Sequence, residues 1–162
     1  MEKLDPRLHF VVVTGIIAKG DKFLIMKRAA HEKAFPNMWT VPGGKLVYHE
    51  YSKLPRTSKK SPQWYNVIEW VLHKEIKEEA NIEIKKSHYL CDLVFVRPDG
   101  FPVVTLSYWA EYKSGKVKCG KDLTDFAWVT LKEAKEYDLI DGIWDELKEV
   151  EHICRSKNGN KR

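Results

Sequence analysis

The sequence contains no apolar run long enough to cross a bilayer, so no membrane span is expected. It has only three cysteines, Cys91, Cys119 and Cys154, widely spaced and odd in number. That excludes a disulfide framework and a cysteine metal knot, and three structural thiols in a reducing, cytoplasmic setting are expected. The opening residues Met1-Glu2-Lys3-Leu4-Asp5-Pro6 lack the basic-then-apolar pattern of an export signal. The six histidines are scattered, with none at metal-ligand spacing, and there is no internal repeat. What remains is an ordinary composition, 43% hydrophobic and 31% charged over 162 residues, enough for one domain with a real core.

Charge is unevenly placed. Residues 51–66 carry Lys53, Arg56, Lys59 and Lys60 with no acid, and residues 155–162 carry Arg155, Lys157, Lys161 and Arg162 with no acid. These eight cations exceed the net charge of +5, so the rest of the chain is mildly acidic. The high overall pI is therefore weak evidence for a nucleic-acid partner, and none is expected. A homodimer is left open.

Hydrophobic patterning predicts a strand over 9–18, a turn at Lys19-Gly20-Asp21 and a second strand over 22–27. Residues 28–37 read as a loop carrying Arg28, His31, Glu32 and Lys33 toward a ligand. A short strand over 38–41 should lead into Gly43-Gly44, where freedom at positive φ is expected. Residues 51–63, with two prolines and four basic side chains, read as a mobile loop, with a helix starting near Gln63. The plain alternative for that loop is a tolerated surface insertion; the functional one is a basic lid over a polyphosphate. After the helix, 82–97 and 101–112 read as strands around a Pro98-Asp99-Gly100 turn, and 123–129 as another. Thr130 with Glu133 makes a capping box for a short helix. A last helix is expected over 143–154, followed by a disordered basic tail, 155–162. Strands, helix, strands, helix fit an α+β chain built as an αβα sandwich, one domain over 1–154.

The central helix carries an anomaly. At about 100° per residue, Trp64, Ile68, Val71, Leu72, Ile76 and Ala80 share one side. Glu75 and Glu79 fall inside that stripe, Glu78 lies at its edge, and Lys74 and Lys77 point away. Three glutamates beside lysines are usually a solvated surface. Here they repel at i,i+3 and i,i+4 by roughly 0.2–0.5 kcal/mol per pair, and on a core face they also lose hydration. A hard divalent cation, Mg²⁺ or Mn²⁺, is the natural compensation.

Gly44, five residues and Glu50, together with Lys74-Glu75-Ile76-Lys77-Glu78-Glu79-Ala80-Asn81-Ile82, resemble the signature of the Nudix hydrolase family, G-x5-E-x7-R-E-U-x-E-E-x-G-U with U aliphatic. The lead-in Pro36 to Pro42 is similar too. Lys74 stands where the family has Arg, Asn81 where it has Gly, and the spacer after Glu50 holds 23 residues rather than seven. Lys keeps the charge but loses the guanidinium fork, and Asn tolerates a left-handed helix end.

The resemblance implies a Nudix-type αβα sandwich with a mixed sheet and a catalytic loop-helix. It implies hydrolysis of a pyrophosphate bond in a nucleoside diphosphate-linked small molecule, by water attack at phosphorus, with Mg²⁺ or Mn²⁺ as cofactor. It makes Glu78 and Glu79 the main metal ligands and Glu75 a further ligand or base. The Gly44 carbonyl completes the shell, Glu50 is a further ligand or orienting group, and Lys74 orients a carboxylate. Asp125, with Asp122 second, takes the place of the family's distant acid as a base or extra ligand; the alternative for both is a turn aspartate. Arg28, Lys45, Trp39, Lys59 and Lys60 are candidate substrate contacts. Trp39, Trp109 and Trp128 can stack on a base, although each also suits a core or cleft wall. Pro98 tilts the substrate slightly toward ADP-ribose, and nucleoside triphosphates stay open. A non-catalytic nucleotide sensor and an RNA-end hydrolase or RNA binder are the competing classes.

Overall fold

The computed structural model describes residues 4–160. In chain order the elements are β1 (Phe10–Lys19), β2 (Lys22–Arg28), β3 (Trp39–Thr40), β4 (Gly43–Lys45), α1 (Tyr48–Tyr51), α2 (Val67–Ala80), β5 (Glu83–Ile84), β6 (His88–Val96), β7 (Pro102–Ser114), β8 (Leu123–Val129), α3 (Leu131–Ala134) and α4 (Ile143–Gly159). Among the described residues the strands form a mixed sheet in the order β3-β2-β1-β7-β5; β4 also pairs with β1, β6 with β7 and β8 with β2. β1 and β7 run parallel over Phe10 to Ala18, and the other pairings are antiparallel.

Period-two alternation along β1 divides the core. Val13 and Ile17 join Val71, Leu72, Ile76 and Ala80 of α2 on one face. Ile16 and Ala18 join Leu147 and Val150 of α4 on the other. Each fully buried Leu or Ile here contributes roughly 1.5–3 kcal/mol of apolar burial. Gly15 faces α2, where a Cβ would come 2.9 Å from Leu72 Cδ1, so its absence lets the helix lie close. The expected αβα sandwich is what the chain forms.

Four expectations need correction. First, α2 starts at Val67, not near Gln63, because Asn66 takes a left-handed conformation (φ 61°). Trp64 lies before the helix; its indole N–H donates to Leu54 O at 2.9 Å and its ring meets Tyr51 edge-on. Second, those contacts and the Thr57 N–H and hydroxyl, which donate to Gln63 O at 3.0 and 2.9 Å, close the 51–63 insertion on itself. Third, Gly43 and Gly44 are not at positive φ; they form β4 and pair with Thr14 and Val13 of β1. Fourth, the helix expected to end at Cys154 continues to Gly159. Arg155 pairs with Glu151 at 3.1 Å, and Lys157 Nζ sits 4.6 Å from the Trp109 ring centroid, which docks the extra turn. Lys161 and Arg162 lie outside the described residues. The Thr130–Glu133 capping box is present as read.

Candidate functional site

The two glycines of β4 have no room for a side chain. A Cβ on Gly43 would overlap Val13 O, and one on Gly44 would overlap the Glu75 carboxyl carbon. The strand thus passes directly under the end of α2. From that end Glu79 reaches back, and its Oε2 accepts the Gly43 N–H at 2.9 Å. Glu75 lies against Gly44 with only 16% of its side chain exposed. Glu78 is at the rim, 58% exposed. The angular reading of the helix places all three as found.

Glu50 sits in α1, at the root of the insertion. Its Oε2 is buried and makes no hydrogen bond, although Lys74 Nζ approaches to 3.3 Å outside hydrogen-bond geometry. The insertion therefore does not carry Glu50 away from the helix glutamates. Lys74 was expected to point away from the stripe. Instead its flexible stem curls back, and Nζ lies 3.2 Å from Glu75 Oε1 and 3.1 Å from Glu78 Oε2 as well. Burial pulls the Lys74 ammonium down, but the three carboxylates more than offset it and raise its pKa.

The carboxyls respond to this crowding. Burial pushes Glu79 up to about 8; the Gly43 N–H and Arg28 act against the shift, while Glu75 and Asp122 add to it. Burial also raises Glu75, opposed by Lys74 and reinforced by Glu78 and Glu50. Glu78 and Glu79 occupy the last turn of α2, where the helix dipole is negative, a further cost to a carboxylate there. Asn81 then ends the helix in the left-handed region (φ 58°), the conformation read for it from the sequence.

The remaining candidates are spread out. Arg28 ends β2 and is tied to Ala34 O at 2.9 Å and Glu32 Oε2 at 2.8 Å. Lys45 is exposed on β4, and Lys59 and Lys60 are exposed on the insertion. Trp39 packs against Tyr137 on the α4 side of the sheet, and Trp109 is buried and stacked on His88. Asp125 is an exposed β8 residue whose Oδ1 accepts its neighbour's N–H, from Phe126 at 2.8 Å. Asp122, the second choice, adds to the rise of Glu79 after Glu75 does.

One grouping has no signal in the sequence. His31 Nε2 meets Asp122 Oδ1 at 3.1 Å, across 91 positions, and with Glu32 these ligand atoms lie within 4.8 Å of one another. The Ala29 N–H bond to Asp122 O, 3.0 Å, brings the two loops together. Sequence spacing cannot show a pairing made by a sheet.

The donor chemistry of the glutamates suits a hard divalent cation, while among the described residues the group of three whose ligand atoms already lie within 4.8 Å of one another is His31, Glu32 and Asp122. A buried carboxyl oxygen without a hydrogen bond on Glu50, and a Glu79 carboxyl raised by burial, are groups that a cation would satisfy. The donors are all oxygens, as Mg²⁺ and Mn²⁺ prefer.

No family model and no curated protein matches this sequence. Solved structures do match its fold. A MutT Nudix hydrolase from Burkholderia pseudomallei aligns with a TM-score of 0.67 at 20% identity, over 89% of this chain and 99% of that one. The MutT protein of Methanosarcina mazei Go1 aligns with a TM-score of 0.66 at 18% identity, over 97% and 99%. The Nudix domain of Shewanella oneidensis NrtR, complexed with ADP ribose, aligns with a TM-score of 0.69 at 16% identity, over 93% of each. At these identities the likeness is one of fold, and the chain has the Nudix fold.

Proposed function

From the Nudix fold and the glutamates at the end of α2, we propose that the chain is a metal-dependent hydrolase of acid anhydrides. Its substrate would be a nucleoside diphosphate linked to a further group, and Mg²⁺ or Mn²⁺ its cofactor. One observation carries this reading: Glu75 and Glu79 are turned inward against Gly43 and Gly44, although burial raises both carboxyls. A helix surface without a ligand would leave them in water.

In this reading Glu79, Glu75, Glu78 and Glu50 hold the cation. When bound, the cation supplies charge neutralisation at the phosphates and a lower pKa for water. The chain's own contribution is placement. The Gly43 N–H fixes the Glu79 carboxyl, and Lys74 holds Glu50, Glu75 and Glu78 in register. Anhydride hydrolysis needs alignment more than a protein nucleophile. Water forms the new P–O bond, the bridging P–O bond breaks, and the proton passes to a carboxylate, for which we assign Glu75. Arg28, whose charge acts on Glu79, and Lys45, exposed beside Gly44 on β4, are assigned to meet phosphate oxygens.

The substrate is proposed as ADP-ribose or a nucleoside triphosphate. The first rests on the fold match to a domain complexed with ADP ribose. Pro98 adds nothing, since a turn closed by the Gly100 N–H to Arg97 O bond at 2.8 Å accounts for it. A binder without turnover is the second reading, favoured by Lys74, whose ammonium already lies among three of the carboxylates.

A substrate screen with Mg²⁺ and Mn²⁺, read by product identity, separates the two. We expect cleavage of one anhydride, lowered about 10²-fold or more in kcat by Glu79→Gln. Saturable nucleotide binding with no product from any nucleotide would overturn hydrolysis and leave the binder.

A further inference from the structure

A cleft of about 310 Å³ opens beside the end of α2, lined by Lys19, Tyr112, Gly115, Lys116, Val117, Phe126 and Trp128. None of the helix glutamates lines it, and its lining contains two lysines and no acid. Its walls are aromatic. Tyr112 and Trp128 meet edge-on with ring centroids 5.7 Å apart, and Phe126 leaves 39% of its surface open. Exposure of a large ring at a strand position facing a cleft is a cost that a ligand would remove.

The walls are also fixed. Tyr112 Oη donates to Gly115 O at 2.6 Å. Gly115 has φ 102°, and a Cβ there would come 2.9 Å from Asn81 O, so the segment can lie against the helix end only as glycine. Beyond it, the Lys118 N–H donates to Ala80 O at 3.1 Å and the Gly120 N–H to Glu79 O at 2.9 Å. The rim of the cleft is thus tied to the same helical turn that presents Glu79. Phe126 stands four positions along the chain from Asp122, roughly 13 Å of extended strand.

Lys19 adds the charge. Its Nζ hovers 4.4 Å from the Tyr112 centroid and 5.4 Å from that of Trp128. An ammonium resting over two ring faces at an exposed position is able to move onto an anion. Lys116, exposed, lies at the same rim.

We propose that this cleft is a nucleotide-binding subsite. It receives the planar base of the ligand against Phe126 and Trp128, and Lys19 and Lys116 meet its phosphate. A nucleotide has a base whose π-face suits the rings and a phosphate whose charge two lysines without a lining acid select. The volume is at the small end of ligand pockets, enough for one base and not for two. A hydrolase and a binder would both use the cleft, so the assignment does not depend on turnover.

The test is an NMR titration of the full, metal-free chain, following the Trp128 indole N–H. AMP is the probe; adenosine, which lacks the anion, and ribose 5-phosphate, which lacks the base, are its controls. AMP is expected to shift Trp128 saturably, and each control to bind about tenfold more weakly or worse. Lys19→Met and Phe126→Ala, both at exposed positions, should weaken AMP by a similar factor while the rest of the spectrum overlays the wild type. A Trp128 signal that AMP does not move would overturn the subsite. So would ribose 5-phosphate binding as well as AMP, or variants that bind AMP unchanged. Shifts confined to Gly43 and Gly44 would also overturn it, yet would leave the hydrolase reading standing.

Discussion

At the scale of single residues, Glu79 decides most. Its folded-state pKa of about 8 lies above the ordinary glutamate value of 4.5. The folded state therefore binds the extra proton between those values. The stability this contributes is fully present below about pH 4.5 and is lost as pH rises through 8. The side chain keeps some access to solvent, so the loss in the metal-free protein should be a few kcal/mol at most. Urea unfolding of the metal-free chain across pH 4.5 to 8.5 should show that decline, and Glu79→Gln should flatten it. The same variant should then be more stable than wild type at pH 8 while losing activity.

The glycines of β4 give a second residue-scale outcome, with two different sizes of damage. Gly44→Ala meets a side chain, Glu75, which can swing aside. It should cost about 1 kcal/mol of stability while lowering turnover tenfold or more. Gly43→Ala meets backbone at Val13 and cannot relax that way. It should cost about 2–3 kcal/mol by denaturant unfolding.

At the scale of elements, α2 and its two ends hold the site. Asn81 closes the helix at φ 58° and its Nδ2 donates to Lys116 O at 3.2 Å. Asn81→Ala should lower stability by about 1–2 kcal/mol, the cost of a Cβ in the left-handed region, as seen by thermal unfolding. Asn81→Gly should restore most of it. The insertion is an element of its own, closed by Trp64 and by the Thr57–Gln63 bonds. Trp64→Ala should open it to protease between Leu54 and Gln63.

How far these elements could be read ahead of the structure differs by cause. The inward turn of Glu75 and Glu79 was legible because a helix has a fixed angular period, and the burial of Val71, Leu72, Ile76 and Ala80 follows the same rule. The curl of Lys74 was not, since a long flexible side chain does not follow its Cβ direction. The glycine pair was legible as a requirement but not as its reason: close approach to Val13 and Glu75, with no positive φ. The Trp64 bond to Leu54 and the meeting of His31 with Asp122 depend on loop closure and sheet register, which leave no period in the chain.

At the scale of the whole molecule, the sheet is a frame that brings distant loops to one helix end. β4 pairs with β1 and puts Gly43 under Glu79; β8 pairs with β2 and puts Asp122 beside the Arg28 loop. No pair of these is close in sequence. The Nudix fold is shared with solved structures at 16% to 20% identity, so the frame outlasts most of the side chains placed on it. The two basic segments differ in kind: one is a closed loop at the foot of Glu50, while the other continues α4 as far as Gly159.

We infer that the acidic end of α2 faces inward to hold a divalent ion. Electron paramagnetic resonance of Mn²⁺ titrated into the metal-free chain counts bound ions directly. At least one saturable site is expected in the wild type at pH 8, weakened about tenfold or more by Glu79→Gln and by Glu75→Gln. Mn²⁺ that stays free in the wild type, or binds both variants as tightly, would contradict it.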